Sequence, residues 1–166
     1  MDLNLKHFSP REFGIWWPSM NSDQLLKLDH FAALLAAAIP GAHVMISPSL
    51  GALGRPANIG SNGGSSMHNV TKWGTVRASD VMPYVVEPDG SKRSLSPWEI
   101  RKAVELAAQA GFGGIGVYPD WQPFAGMHLD NRQRINGHIA RWGMMLDANG
   151  VQVEVAQATA LQAWRA

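Results

Sequence analysis

Two separated segments of this chain each carry a histidine and an aspartate that one metal ion could share. The first segment contains His68 and, further along, Asp80, and the second contains His128 and Asp130. Neutral imidazole nitrogens and a carboxylate oxygen are the ligands of a catalytic zinc ion, which keeps one coordination position for water. Zinc lowers the pKa of that water to about 7 and so supplies hydroxide at neutral pH. These residues therefore predict metal-assisted hydrolysis.

Strand geometry supports the second pair, because residues i and i+2 of a strand point to the same face. If residues 125–131 are extended, His128 and Asp130 share one face. Met127 and Leu129 then point toward a core on the other face. We interpret His128 as the metal ligand and Asp130 as a carboxylate that orients it or acts as general base, with the reverse assignment still open. The alternative is a histidine that only hydrogen-bonds within the sheet and an aspartate that caps a turn.

The first pair lies in two different local environments. His68 lies near the end of residues 48–69, which are rich in glycine, serine, asparagine and proline and are predicted to form a long loop. Asp80 lies on a predicted strand, residues 76–82, among apolar neighbours, where a buried carboxylate needs a cation as its partner. The alternative is that His68 is a solvated loop residue and Asp80 a surface charge.

Length, charge and composition limit the classes of function. The chain has 166 residues, which fits a single domain spanning residues 1–166. The formal net charge of +1 and the lack of long lysine or arginine runs argue against nucleic-acid binding. Because the chain has no cysteine, a metal site must use histidine, aspartate, glutamate or water.

Neither a secretory signal nor a membrane span is predicted. Residues 1–7 contain an early acid and no apolar run, unlike an ordinary secretory signal. The most apolar stretch, residues 31–39, is too short to span a bilayer. We expect a monomer that is made in the cytoplasm and does not insert into membranes. A substrate outside the cell would then require delivery by another agent.

Local patterns predict an α+β fold with one mostly antiparallel sheet flanked by helices. Helix starts are indicated by capping boxes at residues 9–12 and 96–99 and by a cap at Asn21, and a further helix is predicted at residues 157–166. The predicted strands are residues 43–47, 76–82, 114–118, 125–131, 139–146 and 151–155.

Short blocks of the sequence resemble a family of zinc peptidases. A Ser-x-His at residues 66–68 and a small-x-Asp at residues 78–80 match the two halves of that family's first motif. In one branch, Gly-Gly-x-Gly-x-Tyr-Pro precedes a His-x-Asp, as residues 113–119 precede residues 128–130 here, and residues 7–13 also match that branch. The family includes D-alanyl-D-alanine carboxypeptidases, D-Ala-D-Ala dipeptidases and phage L-alanyl-D-glutamate endolysins, and it shares its fold with the hedgehog signalling domain.

The resemblance implies a hedgehog/DD-peptidase-like fold and a zinc ion on His68, Asp80 and His128. It also implies an arginine upstream of the first histidine that binds a substrate carboxylate or polarises the scissile carbonyl. Arg55 is the arginine in the loop before His68, and a guanidinium fork suits a carboxylate. The alternative for Arg55 is a solvent-exposed loop charge.

Two departures from the family pattern affect the assignment. The spacing within the first motif is longer than usual, so the turn around residues 71–75 must bulge outward without moving the ligands. Many members place an acidic base three residues before the last ligand, where this chain has Ala125. The base is then expected to be Asp130 first and Asp120 second.

The leading hypothesis is a zinc-dependent peptidase that hydrolyses peptide bonds in peptidoglycan stem peptides, as a phage endolysin or a virion-associated wall-lytic enzyme does. The alternative is a non-catalytic phage or wall-associated binding or assembly module that keeps a degenerate peptidase fold. A third hypothesis is a structural domain whose histidines do not converge. The first two place the protein at the cell wall, delivered by phage lysis machinery or by a virion.

Overall fold

The computed structural model describes residues 3–55 and 66–165, so the middle of the loop predicted at residues 48–69 lies outside the described residues. The described part contains α-helices α1 to α5 and a 3₁₀-helix at Gly14–Ser19. In chain order, α1 to α5 are Pro10–Phe13, Ser22–Ala38, Val70–Trp73, Pro97–Gln109 and Gln157–Ala163. The predicted capping boxes and asparagine cap begin α1, α4 and α2. Within these ranges, no helix combines the length and the apolar character that crossing a membrane requires.

The strands form one mixed sheet. In chain order, β1 to β7 are Ala42–Ile46, Ala78–Val86, Lys92–Ser94, Gly114–Tyr118, Gly126–Asp130, Ala140–Leu146 and Gln152–Val155. Their spatial order is β1-β2-β5-β4-β6-β7, and β3 also pairs with β2. Neighbours are antiparallel except for β4 and β6, which are parallel. The predicted single-domain α+β class with a mostly antiparallel sheet is therefore confirmed.

One face of the sheet is covered by helices α2, α4 and α5. Gln24 anchors α2 to this face, because its side-chain amide donates to the Leu129 carbonyl at 2.9 Å. Helix α5 docks as predicted, and the Trp164 indole beside it donates to the Leu95 carbonyl at 2.6 Å. The apolar side of α2 is completely buried and consists of Leu25, Leu28, Phe31 and Leu35. This helix-covered face holds the hydrophobic core.

Three features differ from the predicted elements. Strand β2 continues past the predicted end at residue 82 because it pairs with β1 as far as Val85, and Pro83 lies opposite Val44. On the other edge of β2, pairing with β5 ends at Val81 and pairing with β3 begins at Tyr84. A proline is tolerated in such a gap between two partner strands. The turn predicted at residues 71–75 is helix α3, which ends at Gly74 in the left-handed conformation with φ of 69°. Strand β3 and the 3₁₀-helix were not predicted, because such short segments lack a recognisable apolar period.

Candidate metal centre

The sheet pairing brings two of the predicted ligands directly opposite each other. Asp80 on β2 and His128 on β5 are register partners. Because alternate residues of a strand share a face, Asp130 lies on the same face as His128. Met127 and Leu129 point instead to the helix-covered core and are completely buried. The predicted alternation along this strand is therefore confirmed.

His68 reaches the same region from the loop that precedes α3. Its carbonyl accepts a hydrogen bond from the Arg55 N–H at 2.8 Å, and the Arg55 carbonyl accepts from the Val70 N–H at 3.2 Å. Asn69 caps α3 by accepting from the Lys72 N–H at 3.0 Å. The longer spacing of the first motif thus forms a short capped helix, which leaves the histidine beside the sheet.

One atom from each predicted ligand converges on a single point. Nε2 of His68 lies 3.1 Å from Nδ1 of His128, and Oδ1 of Asp80 lies 3.2 Å from the first and 2.9 Å from the second. Tetrahedral zinc with bonds of about 2.0–2.1 Å places its ligand atoms about 3.3 Å apart. The three residues are only 2%, 5% and 7% exposed for His68, Asp80 and His128. This buried group could hold a metal ion.

Hydrogen bonds on the far side of each imidazole fix which nitrogen carries the proton. Nδ1 of His68 contacts the Leu53 carbonyl, which only accepts, so this nitrogen carries hydrogen. Nε2 of His128 lies 2.9 Å from Oδ2 of Asp130 and donates to that carboxylate. In the neutral rings the other two nitrogens therefore direct lone pairs at each other and at Asp80. A proton or a metal ion between these three acceptors removes the repulsion among their lone pairs.

The electrostatics of the cluster also favour a cation. Burial raises the pKa of Asp80, but the His68 and His128 imidazoles outweigh that effect and hold the pKa well below its usual range. Burial lowers the pKa of His128, but its hydrogen bonds to Asp130 and Asp80 raise the pKa to about 9. The cluster thus attracts positive charge, whether from a proton or from a metal ion.

Asp130 lies behind His128, on the side away from the converging atoms. It is completely buried, and its Oδ1 and Oδ2 accept from Nε and Nη2 of Arg132 at 2.8 and 2.6 Å. Burial raises the pKa of Asp130, but hydrogen bonds from His128 and Arg132 hold it well below its usual range. This geometry fits a carboxylate that orients the histidine ligand. A general base would need an oxygen directed toward the metal position, and both oxygens of Asp130 are engaged elsewhere.

The other two predicted site residues have contrasting positions. Arg55 lies at the cluster, where its Nη2 is 3.2 Å from Oδ2 of Asp80 and its Nε donates to the Gly51 carbonyl at 2.7 Å. Its side chain is 28% exposed, so the guanidinium contacts a ligand and remains accessible. Asp120 is exposed, and its Oδ2 accepts from the Leu146 N–H at 2.8 Å. The structure therefore brings Arg55 to the cluster and directs Asp120 to strand β6.

Glycines on this face of the sheet make room for the polar groups. A Cβ atom on Gly114 would lie 2.4 Å from Oδ2 of Asp130, and one on Gly116 would lie 2.7 Å from the indole of Trp142. Neither distance is compatible with nonbonded contact. The glycine pattern that resembles the peptidase branch thus has a steric explanation in this protein.

Two further residues of the site were not predicted. The ring of Trp142 lies with its centroid 5.1 Å from that of His128, and the Arg132 guanidinium lies over the indole at 5.1 Å. Arg132 could have been suggested from the sequence as a cationic partner for Asp130, because it lies only two residues after that carboxylate. Trp142 could not have been found from the sequence, because the parallel pairing of β4 with β6 that brings it to His128 produces no recognisable pattern in the residues around it.

Comparisons of the chain with protein-family models, with curated proteins and with solved structures find no match. The case for a metal centre therefore depends on the converging ligand atoms and on the hydrogen bonds behind them. The resemblance to zinc peptidases depends on the sequence blocks alone.

Proposed function

We propose that this protein is a zinc-dependent peptidase with a hedgehog/DD-peptidase-like fold that hydrolyses peptide bonds in peptidoglycan stem peptides. The observation that carries the proposal is the meeting of His68 Nε2, Asp80 Oδ1 and His128 Nδ1 at one point. The substrate class comes from the resemblance of the motifs to those of wall-lytic peptidases. The place of action is then the cell wall, reached through phage lysis machinery or a virion.

The donor set favours zinc over other common metals. Two imidazoles and a carboxylate are typical ligands of catalytic zinc, whereas magnesium and calcium prefer sites made of oxygen alone. Three protein ligands leave the fourth tetrahedral position for water or substrate. When bound, zinc lowers the pKa of water to about 7 and polarises a carbonyl oxygen.

The residues around the ligands have distinct tasks in this hydrolysis. Asp130 and Arg132 hold the His128 ring so that Nδ1 faces the metal position. Arg55 is fixed by its contact with Asp80, and its accessible N–H groups are suited to bind a substrate carboxylate or the scissile carbonyl oxygen. Burial of the ligands strengthens each of these charge interactions.

One observation favours a non-catalytic alternative. Ala125 occupies the position at which many similar peptidases carry an acidic base, and it is buried. The two predicted substitutes, Asp130 and Asp120, direct their carboxylates to Arg132 and to the Leu146 N–H. A wall-associated binding or assembly module that binds metal without turnover is consistent with this arrangement.

Metal content tests the ligand assignment. Wild-type protein is expected to retain about one equivalent of zinc after dialysis, measured by atomic emission. His68→Ala should lose this zinc, and His43→Ala, which alters an exposed histidine on β1, should keep it. Full zinc retention by His68→Ala with a native circular dichroism spectrum would contradict the assignment.

Hydrolysis of purified wall peptides tests catalysis. Zinc-loaded protein should release free amino groups, and a chelator should stop the release until zinc is restored. Release that persists after complete metal removal would refute the metal mechanism. Binding to the cell wall without release at any zinc concentration would favour the non-catalytic module.

A further inference from the structure

The hydroxyl group of Tyr118 has no role in the proposed metal binding. This tyrosine is the half-buried last residue of β4, and its ring stacks on Trp121 with centroids 4.1 Å apart. Its hydroxyl accepts a hydrogen bond from Nε1 of Trp142 at 3.2 Å. Contacts from two different elements therefore fix the position of this phenol.

The same contacts place the hydroxyl on the face of the metal ligands, with the Trp142 indole between it and His128. The Trp142 indole lies over Gly116, which is the register partner of His128. The indole and the His128 imidazole are neighbours, with centroids 5.1 Å apart. Because Tyr118 is hydrogen-bonded to this indole, its hydroxyl lies on the same face of the sheet, one ring away from a ligand.

The direction of the indole hydrogen bond leaves the phenol proton available. An indole N–H can only donate, so the Tyr118 oxygen accepts and its own O–H remains a donor. Among residues 3–55 and 66–165, no acceptor for this proton is found at hydrogen-bonding distance. Burial raises the pKa of Tyr118 to about 12, so the phenol keeps its proton at neutral pH.

We propose that the Tyr118 hydroxyl donates a hydrogen bond to the substrate oxygen that gains negative charge during hydrolysis, the oxygen of the scissile carbonyl. The inference rests on the proposed peptidase function, which brings that carbonyl to His68, Asp80 and His128. The phenol keeps its proton while the carbonyl oxygen becomes an oxyanion. Trp142 is a positioning residue, because its N–H occupies a lone pair of the phenol and directs the O–H elsewhere.

Binding of a phosphinate analogue of D-alanyl-D-alanine tests the inference without requiring turnover, since its anionic tetrahedral centre imitates the transition state. Zinc-loaded wild type and Tyr118→Phe are titrated by calorimetry. A hydrogen bond to a charged oxygen is strong, so Tyr118→Phe should weaken binding about 10- to 100-fold with unchanged zinc content. Tyr84→Phe alters the other of the two tyrosines and should bind as wild type does.

A second variant, Trp142→Phe, tests the inference if Tyr118→Phe does not fold or does not bind zinc. Trp142→Phe retains the phenol but releases its orientation, so it should lose less affinity for the phosphinate than Tyr118→Phe. If Tyr118→Phe loses zinc or its native circular dichroism spectrum, Trp142→Phe decides, and wild-type affinity in that variant overturns the inference.

The outcomes separate this inference from the peptidase proposal. Equal phosphinate affinity in wild type and Tyr118→Phe overturns the hydrogen bond, as does a zinc-loaded wild type that does not bind the phosphinate. Selective weakening in Tyr118→Phe, together with no peptide cleavage by wild type, supports the hydrogen bond and refutes the hydrolase.

Discussion

One face of the sheet is packed with apolar side chains and the other carries polar and charged groups, and strand β5 contributes side chains to both faces. Met127 and Leu129 point into the helix-covered face, whereas His128 and Asp130 point to the face that carries the candidate metal centre, which is the site face. The covered face is filled by large apolar side chains from α2, α4 and α5. The site face instead uses glycines, such as Gly116, to admit aromatic and charged groups.

The difference shows that the two faces depend on different partners. Apolar burial on the covered face stabilises the fold whether or not a ligand is present. On the site face, Arg132 compensates the buried Asp130 and Arg55 contacts Asp80, while the three converging atoms of the cluster could hold a metal ion. Metal should therefore change the stability of the site face, and apolar truncation should change that of the covered face.

The largest expected effect is the response of the site face to zinc. Free zinc at about 1,000 times its Kd should raise the free energy of unfolding by about 4 kcal/mol, because only the folded state presents all three ligands. Urea denaturation with zinc and with a chelator measures this difference. In His128→Gln, which lacks the imidazole, the zinc-dependent part should disappear. If zinc stabilises His128→Gln as much as it stabilises wild type, the claim that metal acts through the site face is wrong.

Truncation on the covered face should be nearly as costly but independent of metal. Leu129→Ala removes a completely buried side chain and should lower the free energy of unfolding by about 3 kcal/mol. The increment that zinc adds should stay as in wild type, although the mutated residue lies between His128 and Asp130. Leu26→Ala, at a 53% exposed position on α2, is the matched control and should cost less than about 0.5 kcal/mol.

Leu129 and its neighbours also show how much of the site the sequence could predict. The alternation along residues 125–131 is a local property, so the shared face of His128 and Asp130 was predictable. The same holds for the helix starts at Asn21 and Ser96, since caps act within one turn. Residue types alone suggested that the two segments share one metal, whereas the specific ligand set of His68, Asp80 and His128 was expected only from the resemblance.

Features that depend on pairing between distant segments were not predictable. The contact of Trp142 with His128 follows from the parallel pairing of β6 with β4, which neither segment encodes alone. Asp120 illustrates the converse, because its type suggested a base but the β4–β5 connection directs it to the Leu146 N–H. Residue type indicates available chemistry, whereas register and loop direction decide which residues meet.

A smaller effect is expected from the carboxylate that orients His128. Asp130→Asn removes the charge that Arg132 and the imidazole share, so zinc affinity should fall about 10- to 100-fold. Competition with a chromophoric chelator measures the Kd. Asp120→Asn makes the same chemical change away from the cluster and should leave the Kd unaltered. Similar losses in both variants would mean that general surface charge, not ring orientation, controls metal affinity.

The smallest expected effect is a pH dependence of stability that arises at helix α4, on the covered face. Glu99 completes the capping box at the start of α4 and accepts from Nη1 of Arg93 at 2.6 Å. Hydrogen bonds from Arg93 outweigh burial and lower the pKa of Glu99 to about 2. Since the unfolded chain has a glutamate pKa of about 4.3, this stabilisation is complete above that value and is lost as the pH falls toward 2.

The magnitude should be modest because the Arg93 side chain is 36% exposed and solvent screens the pair. The stability difference between wild type and Glu99→Gln should shrink by about 1 kcal/mol between pH 6 and pH 2.5, measured by urea denaturation in chelator. Titration of the metal ligands occurs in both proteins and therefore cancels. Glu105→Gln, at an exposed position of the same helix, should show no comparable change. If the difference for Glu99→Gln stays constant with pH, the pair of Glu99 and Arg93 makes no pH-dependent contribution to stability.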